Sequence, residues 1–187
     1  MLAAREPVSS RALVEGTGVS TMAVYTYFGG MPGLWRAVRQ EGFTRLNGRL
    51  AAVATTDDPV RDLAALGAAY AENAMASPVL YRAMFDAAAD LEDPEAAAGA
   101  FGLLVAAAER ARQAGRFDAA TDGAELATRY WATGHGLLML VVTGVLAPEV
   151  LDVHNPATAA ALFVGAGDEP ERARASVAAG WASVRGG

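Results

Sequence analysis

Residues 11–30 read RALVEGTGVSTMAVYTYFGG, and this stretch decides the fold. Two short helical runs flank a break. The first, Val8 to Glu15, has Ser9 or Ser10 as its N-cap, and Gly16-Thr17-Gly18 interrupts it. The second is capped by Ser20, continues through Phe28 and is stopped by Gly29-Gly30. Two short helices joined by a tight glycine-containing turn make a helix-turn-helix. The pattern buries Leu13 and Val14 on the first helix, places Val19 beneath the turn and buries Val24 and Phe28 on the second. Thr21, Met22, Tyr25 and Thr26 then face outward. The early part of such a second helix enters the DNA major groove. Ser20 and Thr21 offer hydroxyls to phosphates or base edges, and Tyr25 and Tyr27 carry hydroxyls on flat rings suited to phosphate contact.

Working outward, Pro32 stands where a first helical turn tolerates proline. A long helix is expected from about Gly33 to Ala54, with Leu34, Val38, Phe43, Leu46 and Leu50 on one side. Asp57-Asp58-Pro59 signals a helix to about Met75, Ser77-Pro78 one to about Ala89, and Asp93-Pro94 one to Gly115. Thr121 or Asp122 caps a helix expected to reach Leu146. Asn155-Pro156 and Asp168-Glu169-Pro170 repeat the start signal for two last helices. No period-2 strand pattern and no internal repeat interrupts this series. The fold class is therefore all-α. The division falls at Thr55–Pro59, giving a helix-turn-helix half with its connecting helix over 1–54 and a larger helical half over 55–187.

The run from Arg11 to Gly29 resembles the second and third helices of the tetracycline-repressor-like (TetR) regulators. Those carry a Gly-Val-Ser-x-x-(Thr/Ala)-(Leu/Val)-Tyr-x-(His/Tyr)-Phe pattern, matched here by Gly18-Val19-Ser20, Ala23-Val24-Tyr25 and Tyr27-Phe28. The resemblance implies an all-helical repressor that binds a palindromic operator as a homodimer and releases it when a small apolar or amphipathic ligand enters the C-terminal domain. It assigns DNA contact to Arg11, Ser20, Thr21, Met22, Tyr25, Thr26 and Tyr27. Two departures stand out. Only Met1 to Glu6 precede the motif, about a turn and a half where the family has a full first helix, so the head is expected with that helix largely missing. Met31 and Thr21 occupy places where the family often has Lys, which weakens phosphate attraction. A dimeric ligand-binding protein with a truncated, non-functional head therefore stays open as an alternative.

Further along, Tyr130-Trp131-Ala132-Thr133-Gly134-His135-Gly136 resembles a Trp-x-x-x-His-Gly pattern of one TetR subgroup, and Tyr81 to Phe85 suits it. Trp131 and His135 stand four apart and so share a helix face. Apolar walls with a few polar tips are what small-ligand pockets use. Tyr70, Tyr81, Met84, Phe85, Phe101, Trp131, His135 and Met139 are the expected ligand-binding residues; each could equally be plain core, since aromatic and Met residues at helical spacing usually just pack. Gly134 and Gly136 suggest close approach of another helix, and a two-fold interface is expected from the Leu126–Leu146 and Pro170–Val184 helices. Leu137, Leu140, Val141, Val145, Val177 and Trp181 are its apolar candidates.

Composition agrees with this picture. Hydrophobic residues make up 53% and charged residues 19% of the 187, too apolar for a disordered chain. All 15 basic residues are Arg, and the formal charge is −6. Residues 1–50 hold six Arg against three Glu, whereas the remainder holds nine Arg against eighteen acids, a basic head on an acidic body. The chain has no Cys and two His, with no Gly-rich phosphate loop or nucleophile elbow, so an enzyme, a metal site and a cofactor are not expected. Its most apolar stretch, Gly136 to Leu146, is about half a membrane span, and a soluble cytoplasmic protein is expected.

Overall fold

A computed structural model describes residue 18, residues 20–85 and residues 95–185. The fold is all-helical, and among the described residues there is no strand. The described residues form eight helices in order: α1 (Thr21–Phe28), α2 (Met31–Ala51), α3 (Pro59–Ala76), α4 (Pro78–Phe85), α5 (Glu95–Gln113), α6 (Gly123–Val142), α7 (Val150–Gly165) and α8 (Pro170–Arg185). The expected helix over Val8 to Glu15, with Arg11, Leu13, Val14 and Val19, lies outside the described residues.

Most boundaries follow the local signals. Gly18 and Gly29 take left-handed backbone (φ 73° and 68°), which places the turn before α1 and the stop after it. Asp58 caps α3 by accepting from the Val60 and Arg61 amides, and Asp122 caps α6 through Ala124 and Glu125. At α8 the cap is Glu169, whose carboxylate accepts from Glu171 and Arg172 N–H, because Asp168 is turned inward to Arg116.

Four expectations need correction. The α6 helix ends at Val142 rather than Leu146, because Gly144 turns left-handed (φ 76°) and the chain folds back through the Val145 and Leu146 amides onto the Leu140 carbonyl. Asn155-Pro156 starts no helix: α7 begins at Val150 and Pro156 sits inside it. Proline there removes one hydrogen bond. Leu151, Asn155, Ala159 and Phe163 recur every fourth residue as a buried stripe, and packing that stripe overrides the break. Phe28 is 40% exposed at the last turn of α1, whereas Val24 one turn earlier is buried as expected. Val141, Val177 and Trp181 are core residues of this single chain, not outward ones.

The body is built around α3. Val60, Leu63, Ala64, Leu66, Ala68, Ala71 and Ala74 are buried all round it, which marks a central helix. It runs beside α8, with α5 and α6 also against it. Gly180 lets α8 approach closely: a Cβ there would stand 2.4 Å from the Arg61 carbonyl oxygen. The α2 helix connects the head to this body. Its Phe43, Leu46 and Leu50 are buried, it packs on α4 and α5, and Asn47 donates to the Ala96 carbonyl at 2.7 Å.

A buried ion network fixes the link between α2 and α3. Arg116, 3% exposed, forks onto Asp168 at 2.8 and 2.7 Å and reaches Asp58 at 2.6 Å. Ser176 Oγ donates to Asp58 at 2.6 Å and accepts from Arg116 at 3.0 Å. Burial alone would raise the Asp58 carboxyl; the hydrogen bonds from Ser176 and the Arg61 amide and the Arg116 charge outweigh it, so its pKa lies below the usual carboxylate value. Beside it, Arg110 donates to Asp62 and to the Thr56 carbonyl, and Asp62 accepts from Thr56 N–H and Oγ–H. Thr56, Asp58 and Asp62 are thus held by Arg110 of α5 and by Arg116 just beyond it.

Candidate functional site

Two places collect the residues singled out from the sequence. The first is α1. Thr21, Met22, Tyr25, Thr26 and Tyr27 are all exposed, Met22 to 69%, Tyr25 to 60% and Tyr27 to 79%. Large side chains seldom project this far from a single surface helix without a partner surface. Ser20 stands at the N-cap in extended backbone, and its side chain makes no capping bond. Thr26 Oγ donates to the Met22 carbonyl, so that hydroxyl is committed to its own helix. No basic residue lies on α1.

The second is a cage of six rings between α3, α4, α5 and α6. Tyr70 comes from α3, Tyr81 and Phe85 from α4, Phe101 from α5, and Trp131 and His135 from successive turns of α6. Phe85 meets the His135 ring at 4.4 Å and Tyr81 at 5.1 Å between centroids, in edge-to-face geometry. Trp131 closes the outer side, with centroids 6.2 Å from Phe85, 6.1 Å from Phe101 and 5.9 Å from His135.

Inside the rings, three polar atoms form a triangle. The Tyr70 and Tyr81 hydroxyls stand 2.9 Å apart, and both approach His135 Nδ1, at 3.0 and 2.7 Å respectively. Trp131 Nε1–H donates to the Tyr70 hydroxyl at 3.1 Å. Burial pushes the Tyr70 phenol up to about 12, and burial with the adjacent Tyr70 raises Tyr81 further, so both keep their protons at neutral pH. Burial lowers the pKa of His135 below its ordinary 6.5, which keeps the imidazole neutral. Proton counting then fixes the tautomer. Two hydroxyl protons and one indole proton need three acceptors, and the triangle supplies them only if Nδ1 carries no proton. The proton of His135 is on Nε2, outside the triangle, and no described residue accepts from it.

Of the eight residues expected to hold a ligand, these six come together. Met84 does not join them: it is 3% exposed and lies against the connecting helix, where a Cβ on Gly42 would come within 2.5 Å of its Cγ. Met139 is half-buried against the core. Met75 lines a cavity of about 480 Å³ with Glu72 on α3, Leu151 and Asp152 on α7 and Trp181 on α8.

Sequence reading missed Phe43. Its ring packs edge to face on Phe85 at 5.6 Å, so the cage rests directly on α2. Nothing in the spacing of residues 42 chain positions apart announces that contact. It also missed that the outer faces of α6 and α7 are unusually small and apolar. Ala132, Gly136 and Leu140 lie one turn apart on α6, and Val153, Ala157 and Ala161 on α7; all six are exposed. A Cβ added at Gly134 or Gly136 meets nothing within 4 Å, so the close approach expected at these glycines is not made within the chain.

Residues 63–161 match the family described as "Tetracyclin repressor-like, C-terminal domain". Among solved structures, the chain is similar to a protein of unknown function from Rhodococcus sp. RHA1, with 26% identity, a TM-score of 0.72 and 86% of each chain covered. No curated protein matches it.

Proposed function

The chain belongs to the tetracyclin repressor-like family, and on that premise we propose that it is a DNA-binding transcriptional regulator, a ligand-responsive repressor that grips a palindromic operator as a homodimer. Residues 1–54 serve as the DNA-binding domain and 55–187 as the ligand-binding and dimerisation domain of a cytoplasmic protein. Ser20, Thr21, Met22, Tyr25 and Tyr27 present the reading surface, and Arg11 and Thr26 also contact the DNA. The small ligand enters the ring cage. The observation that carries this reading is the contact of Phe85 with both His135 and Phe43, which joins the cage to the helix bearing the head.

In this mechanism the ligand wedges between Trp131 and Phe85. Packed aromatic rings do not compress, so Phe85 moves and pushes Phe43 and with it α2. The clamp of Arg110 and Arg116 holds the link that follows α2 at Thr56 and Asp58, so the push turns into a swing of α1. In a two-fold dimer the swing changes the separation of the two recognition helices, which must match successive major grooves. Affinities for ligand and operator are then reciprocally coupled. The second subunit packs across the outer faces of α6 and α7, where small residues permit close helix approach.

A second reading, a dimeric ligand-binding protein with an inactive head, is favoured by the absence of any basic residue on α1. One experiment separates the two. The full chain is incubated with a fragment pool of its own genome, and bound DNA is recovered and sequenced. The regulator reading expects a recurring inverted repeat that Tyr25→Ala fails to recover. Recovery of no sequence above background, by protein that is helical and dimeric, rejects it in favour of the second reading.

A further inference from the structure

We infer that the ring cage is built for a neutral aromatic ligand carrying a hydrogen-bond-accepting oxygen, such as an ester, ketone or lactone, and that His135 Nε2–H is the group that reads that oxygen. The inference rests on the reading of the cage as the ligand site. Three features of the triangle carry it. With Trp131 donating to Tyr70 and Tyr70 to Tyr81, Nδ1 is the acceptor left for the Tyr81 proton, so the imidazole proton sits on Nε2. Nε2–H has no acceptor among the described residues, while His135 is only half-buried, so an entering molecule can reach it. The surrounding walls are Tyr, Phe and Trp faces, and among the described residues no carboxylate or guanidinium bonds to any of the six.

The same triangle selects against charge. A carboxylate ligand gains most from an imidazolium. Placing a second proton on His135 puts it on Nδ1, which turns the shared acceptor into a donor. One tyrosine proton is then left without an acceptor inside a buried cluster, a costly state. A cationic ligand meets the Nε2–H dipole end-on, and among the described residues no carboxylate bonds to the cage to offset this. A neutral acceptor completes the array without changing any proton: Trp131 donates to Tyr70, the tyrosines pass the bond to Nδ1, and Nε2–H passes it to the ligand.

The test is calorimetric titration of the full chain at pH 7.5 with four matched probes: methyl 2-naphthoate, 2-ethylnaphthalene, 2-naphthoate and 2-naphthyltrimethylammonium. The ester is expected to bind about 3- to 10-fold tighter than the hydrocarbon, the increment of one neutral hydrogen bond. Both ions are expected to bind more weakly than the hydrocarbon. In His135→Phe the ratio of ester to hydrocarbon affinity should fall to about 1. A readout independent of that variant's folding is the imidazole nitrogen spectrum of the wild type, with exposed His154 as reference. His135 should show an Nε2–H tautomer whose resonance shifts on ester addition and not on hydrocarbon addition. Equal binding of ester and hydrocarbon, or tightest binding by either ion, overturns the ligand class and leaves the cage as the ligand site. Failure of all four probes to bind, with no shift at His135, overturns the class and the site together.

Discussion

Phe85 and Phe43 meet edge to face, with ring centroids 5.6 Å apart and planes at 76°. This pair joins two parts of the chain that otherwise have separate business: Phe85 also touches His135 at 4.4 Å, and Phe43 lies on the helix that leads from the head. Shortening that contact should separate binding from response. Phe43→Leu removes the ring edge while keeping an apolar side chain of similar reach, and is expected to cost about 1 kcal/mol of stability. The variant should bind operator as the wild type does, yet lose most of the ligand-induced release. Operator affinity with and without a cage ligand checks this; an unchanged ratio would show that the signal takes another route.

The Arg116 network predicts a large and asymmetric stability effect. Arg116→Ala leaves Asp168, 5% exposed, without its partner and is expected to cost about 3–5 kcal/mol. Arg129, paired with Glu125 on the exposed surface of α6, should cost well under about 1 kcal/mol when truncated. The pH dependence follows from Asp58. Its pKa is held below the ordinary carboxylate value, so the unfolded chain binds the proton more readily than the folded one. The stabilisation is complete above that ordinary value and is lost as pH falls through the folded one. Melting temperatures should fall between pH 7 and pH 3 more steeply for the wild type than for Asp58→Asn.

Much of this architecture was legible. The caps Asp58 and Asp122 and the glycines after α1 are local signals, and they set their helix ends directly. The cage was half legible. Trp131 and His135 share a face by spacing alone, but the tyrosines reach them from 54 to 65 positions away, and only packing shows that their hydroxyls converge on one nitrogen. Pro156 misled because proline is a local breaker, whereas the Leu151–Phe163 stripe that keeps α7 whole is a property of the core. Trp181 misled for a related reason: a helix periodicity shows that it has an apolar side, not whether that side meets α3 or a second subunit. Among the described residues, no helix is long and apolar enough to cross a membrane.

Tyr130 supplies a prediction of the opposite sign from most core changes. Its hydroxyl is buried without a hydrogen-bond partner among the described residues, and burial raises its pKa. Tyr130→Phe should therefore stabilise the fold, by about 1 kcal/mol, since an orphaned buried polar group is removed with little change in volume. Gly67→Ala should do the reverse, because a Cβ there would lie 1.9 Å from that hydroxyl oxygen. Denaturant melts of the two single variants and the double variant measure this. The double variant should recover part of the Gly67→Ala loss, and strict additivity would contradict the placement of the ring.

The outer face of α6 predicts the assembly. Gly136 faces open space within one chain, and replacing a helical glycine there should not harm the fold. Gly136→Arg is expected to halve the sedimenting mass while Gly136→Ala leaves it unchanged. A dimer that survives Gly136→Arg places the two-fold contact elsewhere.

The account turns on whether the exposed residues of α1 read DNA. The most direct measurement is the affinity of the full chain for the duplex flanking its own gene at two salt concentrations, wild type beside Tyr25→Ala. The account predicts binding that weakens steeply as salt rises, with Tyr25→Ala weaker by about 10-fold at the lower salt. Wild-type affinity no different from that of Tyr25→Ala, in protein of unchanged helix content, would contradict it.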